Sequence, residues 1–270
     1  MRAIVVGVDG SPHSEVALRH AVEIADLVGA GVTGLAAVAG DYQGEAPPEE
    51  HRVEELEGLE ALPTTVIQWF EQALGKCAET CAVAEVPFEA RMLAGRPGRL
   101  LPDEAQGCDL VVLGAKGQHE SIELLGRTAR DVVRSCIKPV LVTRAEYRPI
   151  TRALVGYDAS PAAGHAVEWV ADLAAVAGWE VVLVAGAMPQ SGLASDIEHA
   201  ADLVRTRGVE PEVVRAPGDA PTIVFEQARA HKADLIAVGG PIRGTLSGFF
   251  LGEKWPEVVE QAEAPVLRWR

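Results

Sequence analysis

Short, continuously apolar runs alternate along the chain with longer stretches in which apolar residues return every three or four positions. Ile4–Val8 (IVVGV) is followed by Ala17, Leu18, Ala21, Ile24 and Val28, and Ala153–Tyr157 (ALVGY) by Ala166, Val167, Val170, Leu173 and Ala177. The first kind of run predicts buried strands and the second predicts amphipathic helices. Each half of the chain reads as strand, helix, strand, helix, strand, helix, strand, helix, strand. Continuously apolar strands separated by helices predict a parallel sheet covered on both faces.

The same pattern occurs twice. Asp9-Gly10-Ser11-Pro12 returns 149 residues later as Asp158-Ala159-Ser160-Pro161, and Asp109-Leu-Val-Val-Leu-Gly114 returns 125 residues later as Asp234-Leu-Ile-Ala-Val-Gly239. The stripe Ala129, Val132, Val133, Cys136 matches Trp255, Val258, Val259, Ala262, and each leads to a short closing strand, Pro139-Val-Leu-Val and Pro265-Val-Leu. This predicts two domains, 1–148 and 149–270. The shrinking offset places extra residues in the first, and Gly40 to Leu62 fits: Asp41, Glu45, Glu49, Glu50, Glu54, Glu55, Glu57 and Glu60 face only Arg52, around Pro47-Pro48. Such a charge run reads as a solvated loop, with a lid or a docking segment as the sharper alternatives.

A length of 270 residues suits two modest domains. The 24 Lys and Arg against 39 Asp and Glu give a formal net charge of -15, which repels nucleic acid and anionic membrane alike. A phosphate-bearing ligand would therefore depend on local donors such as backbone N–H groups. With no signal-like start and no apolar run of about 18 residues, the chain reads as cytoplasmic. Cys77, Cys81, Cys108 and Cys136 form no C-x-x-C pair and no zinc-like spacing with histidine. Cys77 and Cys81 continue the series Val66, Phe70, Leu74 and read as reduced core residues on one helical face.

In doubly wound sheets, ligands bind beyond the carboxyl ends of the strands, where strand order reverses. That rule points to Asp9 and to Gly114-Ala-Lys116-Gly117, with Gly126-Arg127-Thr128 opening the next helix. Ser11 is placed to cap a helix and Pro12 to occupy its first position. Asp9 is either a turn residue bonding its own backbone or an acceptor for a ribose or base. The glycines make turns, or let backbone N–H groups approach a phosphate near a helix N-terminus. Asp158 and Gly239 are the second-half counterparts. There Ile242 stands where Gly117 would, and Glu253 follows Gly252, so like charge opposes phosphate. His13, His20, His51, His119, His165, His199 and His231 show no metal-ligand spacing, and His119 lies nearest the glycine loop. No G-x-S-x-G elbow, H-E-x-x-H helix or Walker loop occurs, so no catalytic residue and no metal site are assigned.

Asp9-Gly10-Ser11-Pro12, Gly95-Arg96-Pro97, Asp109 to Gly114, Leu125-Gly126 and Pro139-Val-Leu-Val, in this order and again in the second half, resemble the signature of universal stress proteins in tandem form. The resemblance covers essentially the whole chain. It implies two doubly wound, five-stranded parallel-sheet domains, Rossmann-like and of the adenine-nucleotide-binding type. It also implies a phosphate loop of glycine, two residues, glycine, nine residues, glycine and a hydroxyl residue. Here Gly114 and Gly117 keep the first spacing, but eight residues precede Gly126, and Arg127 precedes Thr128. The site so implied comprises Asp9, Gly114, Lys116, Gly117, Gly126, Arg127 and Thr128, holding ATP or another adenine nucleotide, with or without Mg. A weaker second site would use Asp158 and Gly239. The expected role is a stress-response regulatory module with an unknown protein partner, pseudo-dimeric within one chain and open to homo-oligomerisation, hydrolysing ATP slowly at most. The alternative is an interaction scaffold that binds no nucleotide.

Overall fold

Each half begins with the same local chemistry. The first strand ends in an Asp-x-Ser-Pro turn, the serine accepts a hydrogen bond from the first turn of the helix, and proline fills the first helical position. A glycine in left-handed conformation closes that helix: Gly29 at φ 66° donates to the Ala25 carbonyl, and Gly178 at φ 73° donates to that of Ala174.

The computed structural model describes residues 1–38, 62–117, 125–186, 193–240 and 255–270. The acidic stretch of residues 40–61, His51, His119, Ile242, Gly252 and Glu253 lie outside the described residues. The chain clusters into two compact units, Met1–Tyr147 and Arg148–Arg270.

The first unit runs β1 (Ala3–Gly7), α1 (Pro12–Val28), β2 (Gly31–Val38), α2 (Thr64–Val83), β3 (Phe88–Ala94), α3 (Pro97–Glu104), β4 (Leu110–Gly114), α4 (Arg127–Ser135) and β5 (Val140–Thr143). Its strands pair in parallel in the order β3-β2-β1-β4-β5. The second unit runs β6 (Arg152–Gly156), α5 (Pro161–Ala177), β7 (Glu180–Gly186), α6 (Leu193–Thr206), β8 (Glu212–Ala216), α7 (Ala220–Ala230), β9 (Leu235–Gly239), α8 (Trp255–Gln261) and β10 (Val266–Trp269). Its order, β8-β7-β6-β9-β10, is the same pattern, again all parallel. In each unit the chain first builds to one side of the opening strand and then crosses to the other. The reversal therefore falls between β1 and β4, and between β6 and β9.

The central strands are buried on both faces, as their unbroken apolar runs require: Ile4, Val6, Leu110, Val112 and Leu141 are fully enclosed. The helical stripes behave as the spacing predicts, with Ala17, Leu18, Ala21 and Ile24 of α1 and Phe70, Leu74, Cys77 and Cys81 of α2 buried. Each enclosed Leu or Ile side chain contributes about 1.5–3 kcal/mol. Burial, the largest cause in each case, pushes the thiols up, Cys77 to about 12 and Cys81 and Cys108 to about 11, so they stay protonated at neutral pH.

The repeated Asp-Leu motif before β4 and β9 serves the far end of each sheet. Asp109 Oδ2 accepts hydrogen bonds from the Arg2 and Ala3 amides (2.5 and 3.2 Å). Asp234 Oδ2 accepts from the Thr151 amide (3.1 Å), the Thr151 hydroxyl (2.6 Å) and the Arg152 amide (3.1 Å). Each carboxylate clamps the amino end of the neighbouring strand and so helps set its register.

Candidate functional site

The carboxyl ends of β1 and β4 bring the first unit's candidate residues together. Asp9 follows β1, and its Oδ1 accepts the Ser11 amide hydrogen at 2.9 Å, so one carboxylate oxygen makes the turn. Ser11 Oγ accepts from the Ser14 amide at 3.1 Å and caps α1. This aims the positive end of the α1 dipole toward the end of the sheet. Gly114 ends β4 against that same turn. A Cβ built on it would lie 2.6 Å from His13 Cβ and 2.9 Å from the His13 carbonyl carbon. Its glycine identity is therefore explained by how closely α1 crosses the strand.

The second helix tip is tied to the same place by backbone bonds. The Ala115 amide donates to the Thr143 carbonyl (2.9 Å), and the Gly126 amide donates to the Ala115 carbonyl (2.7 Å). Arg130 Nη2 donates to the Leu125 carbonyl (3.1 Å). Gly126 is the N-cap of α4 and has no side chain, so no side chain caps that helix. Gly126 is buried, Lys116, Gly117 and Thr128 are partly exposed, and Arg127 is exposed.

Charge gathers where the two helices start. His13 lies within electrostatic reach of Lys116, Asp9 and Arg144. Burial lowers its pKa most, Lys116 and Arg144 lower it further, and Asp9 opposes them. Two fixed cations and a titratable one thus surround a pair of helix N-termini in a chain whose overall charge is strongly negative. This local arrangement suits an anion, with Asp9 as a neighbouring acceptor for hydroxyl or amino groups.

Trp69, from α2, completes the surroundings. Its Nε1 donates to the Asp9 carbonyl oxygen at 3.2 Å, and the side chain remains 41% exposed.

The second unit repeats the frame with different side chains at the start of its first helix. Asp158 Oδ1 accepts from the Ser160 amide (3.0 Å), and Ser160 caps α5 by accepting from the Ala163 amide (3.1 Å). A Cβ on Gly239 would lie 2.3 Å from the Ala163 nitrogen, so this glycine too is explained by helix packing. Ala162 stands where the first unit has His13.

The Universal stress protein family profile matches residues 1–144 and again 149–270, nearly the whole chain. The chain belongs to that family. A universal stress protein of Mycobacterium tuberculosis is 26% identical over 301 residues, covering 98% of this chain and 93% of its own. One from Synechocystis is 24% identical over 166 residues, a match that spans 60% of this chain and 58% of the relative. The crystal structure of a universal stress protein from Archaeoglobus fulgidus aligns with 99% of this chain and 98% of its own at a TM-score of 0.76 and 16% identity, a likeness of fold. The tandem arrangement and the doubly wound parallel sheets expected from the motifs are thus those of this universal stress protein.

Of the site residues named from sequence, Asp9, Gly114, Lys116, Gly117 and Gly126 converge on the sheet end. Thr128 sits in the first turn of α4, and Arg127 is turned to solvent. Sequence reasoning did not single out His13, Arg144 and Trp69, which the structure brings beside these residues. His13 is the second residue of a capped helix, Arg144 is the first residue after β5, and both positions follow from the fold-level rule once the strands are placed. Trp69 lies 60 residues from Asp9, and only tertiary structure brings it there. Among the described residues, no group of three His, Cys, Asp or Glu side chains gathers to hold a metal ion, and no helix is long and apolar enough to cross a membrane.

Proposed function

We propose that the first unit, acting as a domain of residues 1–148, binds an adenine nucleotide, ATP foremost. The observation that carries this reading is the convergence of the α1 and α4 N-termini with His13, Lys116 and Arg144 at the strand-order reversal beside Asp9. Phosphates would lie against the Lys116 side chain and the amides of Lys116, Gly117, Arg127 and Thr128, while the Asp9 carboxylate reads ribose or base. Arg127, exposed at the first position of α4, would reach a terminal phosphate from the helix tip. An accompanying Mg would be held by phosphate and water, because the described residues supply no cage of their own.

The second unit, 149–270, serves as structure in this reading. Asp158 is engaged in its turn, Gly239 is required by packing, and the position of His13 is an alanine. The protein works in the cytoplasm as a stress-response regulatory module whose occupancy alters a surface read by a protein partner. Equilibrium dialysis of the purified full chain with ATP, AMP and cyclic AMP tests the proposal. Saturable retention of at least one of them is expected, and no retention at millimolar ligand would refute it.

A further inference from the structure

The two units make the same left-handed turn after their aspartates with different residues. Gly10 has φ 74° and Ala159 has φ 60°. Since alanine makes this turn in the second unit, the backbone conformation alone does not dictate glycine at position 10. What distinguishes Gly10 is the indole above it: a Cβ there would lie 2.8 Å from Trp69 Nε1 and 3.1 Å from two further ring atoms. Helix α6, which takes the place of α2 in the second unit, contains no tryptophan. Gly10 and Trp69 thus form one device, in which a side-chain-free residue lets an indole settle onto the Asp9 turn and be fixed there by its hydrogen bond to the Asp9 carbonyl.

A device of this kind exposes a flat apolar ring. Trp69 is one of four large hydrophobic side chains exposed among the described residues, together with Val83, Ile137 and Val176, and of these it alone is aromatic and bonded to the site. Its orientation is set before any ligand arrives, so stacking on it freezes little further side-chain motion. Aromatic rings fixed beside a phosphate-binding surface are platforms for nucleobases, and the larger purine gains more contact than a pyrimidine.

We infer that Trp69 is the base-stacking residue of the first unit and confers a preference for purine over pyrimidine nucleotides. The inference rests on the nucleotide reading above and goes further, since that reading assigns the base no partner other than Asp9.

The test uses the full chain and its Trp69→Phe and Trp69→Ala variants, with ATP and UTP in equilibrium dialysis. Trp69→Ala is expected to weaken ATP about tenfold and to erase most of the ATP-over-UTP preference, while Trp69→Phe retains the greater part of both. In parallel, tryptophan emission is followed during ATP titration. Trp69 is the sole tryptophan of residues 1–147, so a change present in the parent protein and absent from Trp69→Phe reports on that ring even where Trp69→Ala fails to fold. Unaltered ATP affinity in Trp69→Ala, or an emission change that persists in Trp69→Phe, overturns the stacking role and leaves nucleotide binding intact. If the parent protein retains no nucleotide, the inference falls together with the reading beneath it.

Discussion

The two units share a frame and differ at its carboxyl edge. Both wind their strands in the same order, cap the first helix with a serine after an aspartate turn, and press that helix so close to the fourth strand that only glycine fits at the contact. Among the described residues, the first unit sets His13, Lys116, Arg144 and a docked Trp69 about this contact, whereas in the second Ala162 replaces His13, α6 carries no tryptophan, and the cations at the sheet end are Arg268 beside Gly240 and Arg270 after β10. Family motifs therefore report two things at once. Asp9, Ser11 and Gly114 build the turn and the crossing, as do Asp158, Ser160 and Gly239, whereas His13, Lys116, Arg144 and Trp69, which set the units apart, lie between and beyond the motifs.

The largest effect expected from breaking the comparison is at the shared glycine. Gly239→Ala would drive a Cβ into backbone rather than a yielding side chain, and unfolding by denaturant should show a loss of about 3 kcal/mol. A loss near zero would mean that packing does not explain the glycine and that its retention reflects a ligand in the second unit. Next comes Gly10→Ala, expected to cost about 2 kcal/mol, combining left-handed strain with displacement of Trp69. If Trp69→Ala in the same chain does not recover part of that loss, the two residues are not coupled.

Asp109→Asn gives a smaller change, about 1 kcal/mol after allowing for partial solvent exposure. Hydrogen bonds from the Arg2 and Ala3 amides, chiefly Arg2, hold the Asp109 carboxyl below its ordinary value of 3.8. With the folded pKa depressed, the stabilisation is fully present above the unfolded pKa, near 4, and disappears as pH falls through the lower folded value. The stability gap between parent and Asp109→Asn should accordingly narrow on acidification below pH 4, and a gap that widens there contradicts the assignment.

Two subtler changes sharpen the contrast. Ala159→Gly should stabilise by about 0.5 kcal/mol, relief of left-handed strain outweighing the added freedom of the unfolded chain, and thermal unfolding would detect it. The smallest effect concerns His13, which burial and its cationic neighbours keep below its ordinary 6.5 and hence neutral at pH 7. Protonation on acidification adds a positive charge beside the phosphates, so ATP affinity should rise, relative to His13→Gln, as pH falls through the lowered His13 pKa. Parallel pH profiles for the two proteins would remove His13 from the site.

Strand and helix alternation was legible because fully buried strands carry unbroken apolar runs and their covering helices carry a stripe, as the enclosed Ile4, Val6 and Ile24 illustrate. The capped turns were legible from Ser11-Pro12 and Ser160-Pro161 because capping depends on neighbours in sequence. Roles that depend on distant neighbours were not. Gly114 reads equally as a phosphate glycine or a crossing glycine until His13 is seen against it, and Trp69 reads as one position on an amphipathic helix until its indole is found at the Asp9 carbonyl. The buried stripe of α1 also hid His20, fully enclosed with neither ring nitrogen hydrogen-bonded and Nδ1 3.6 Å from Glu23. Its counterpart Trp169 in α5 is likewise buried with an unbonded Nε1.

A calorimetric titration of the full chain with ATP, repeated on Lys116→Glu and on Asp158→Ala, bears most directly on the asymmetry between the units. One nucleotide per chain, lost in Lys116→Glu and kept in Asp158→Ala, is the predicted result. Two nucleotides per chain, or a single one lost in Asp158→Ala and indifferent to Lys116→Glu, would contradict it.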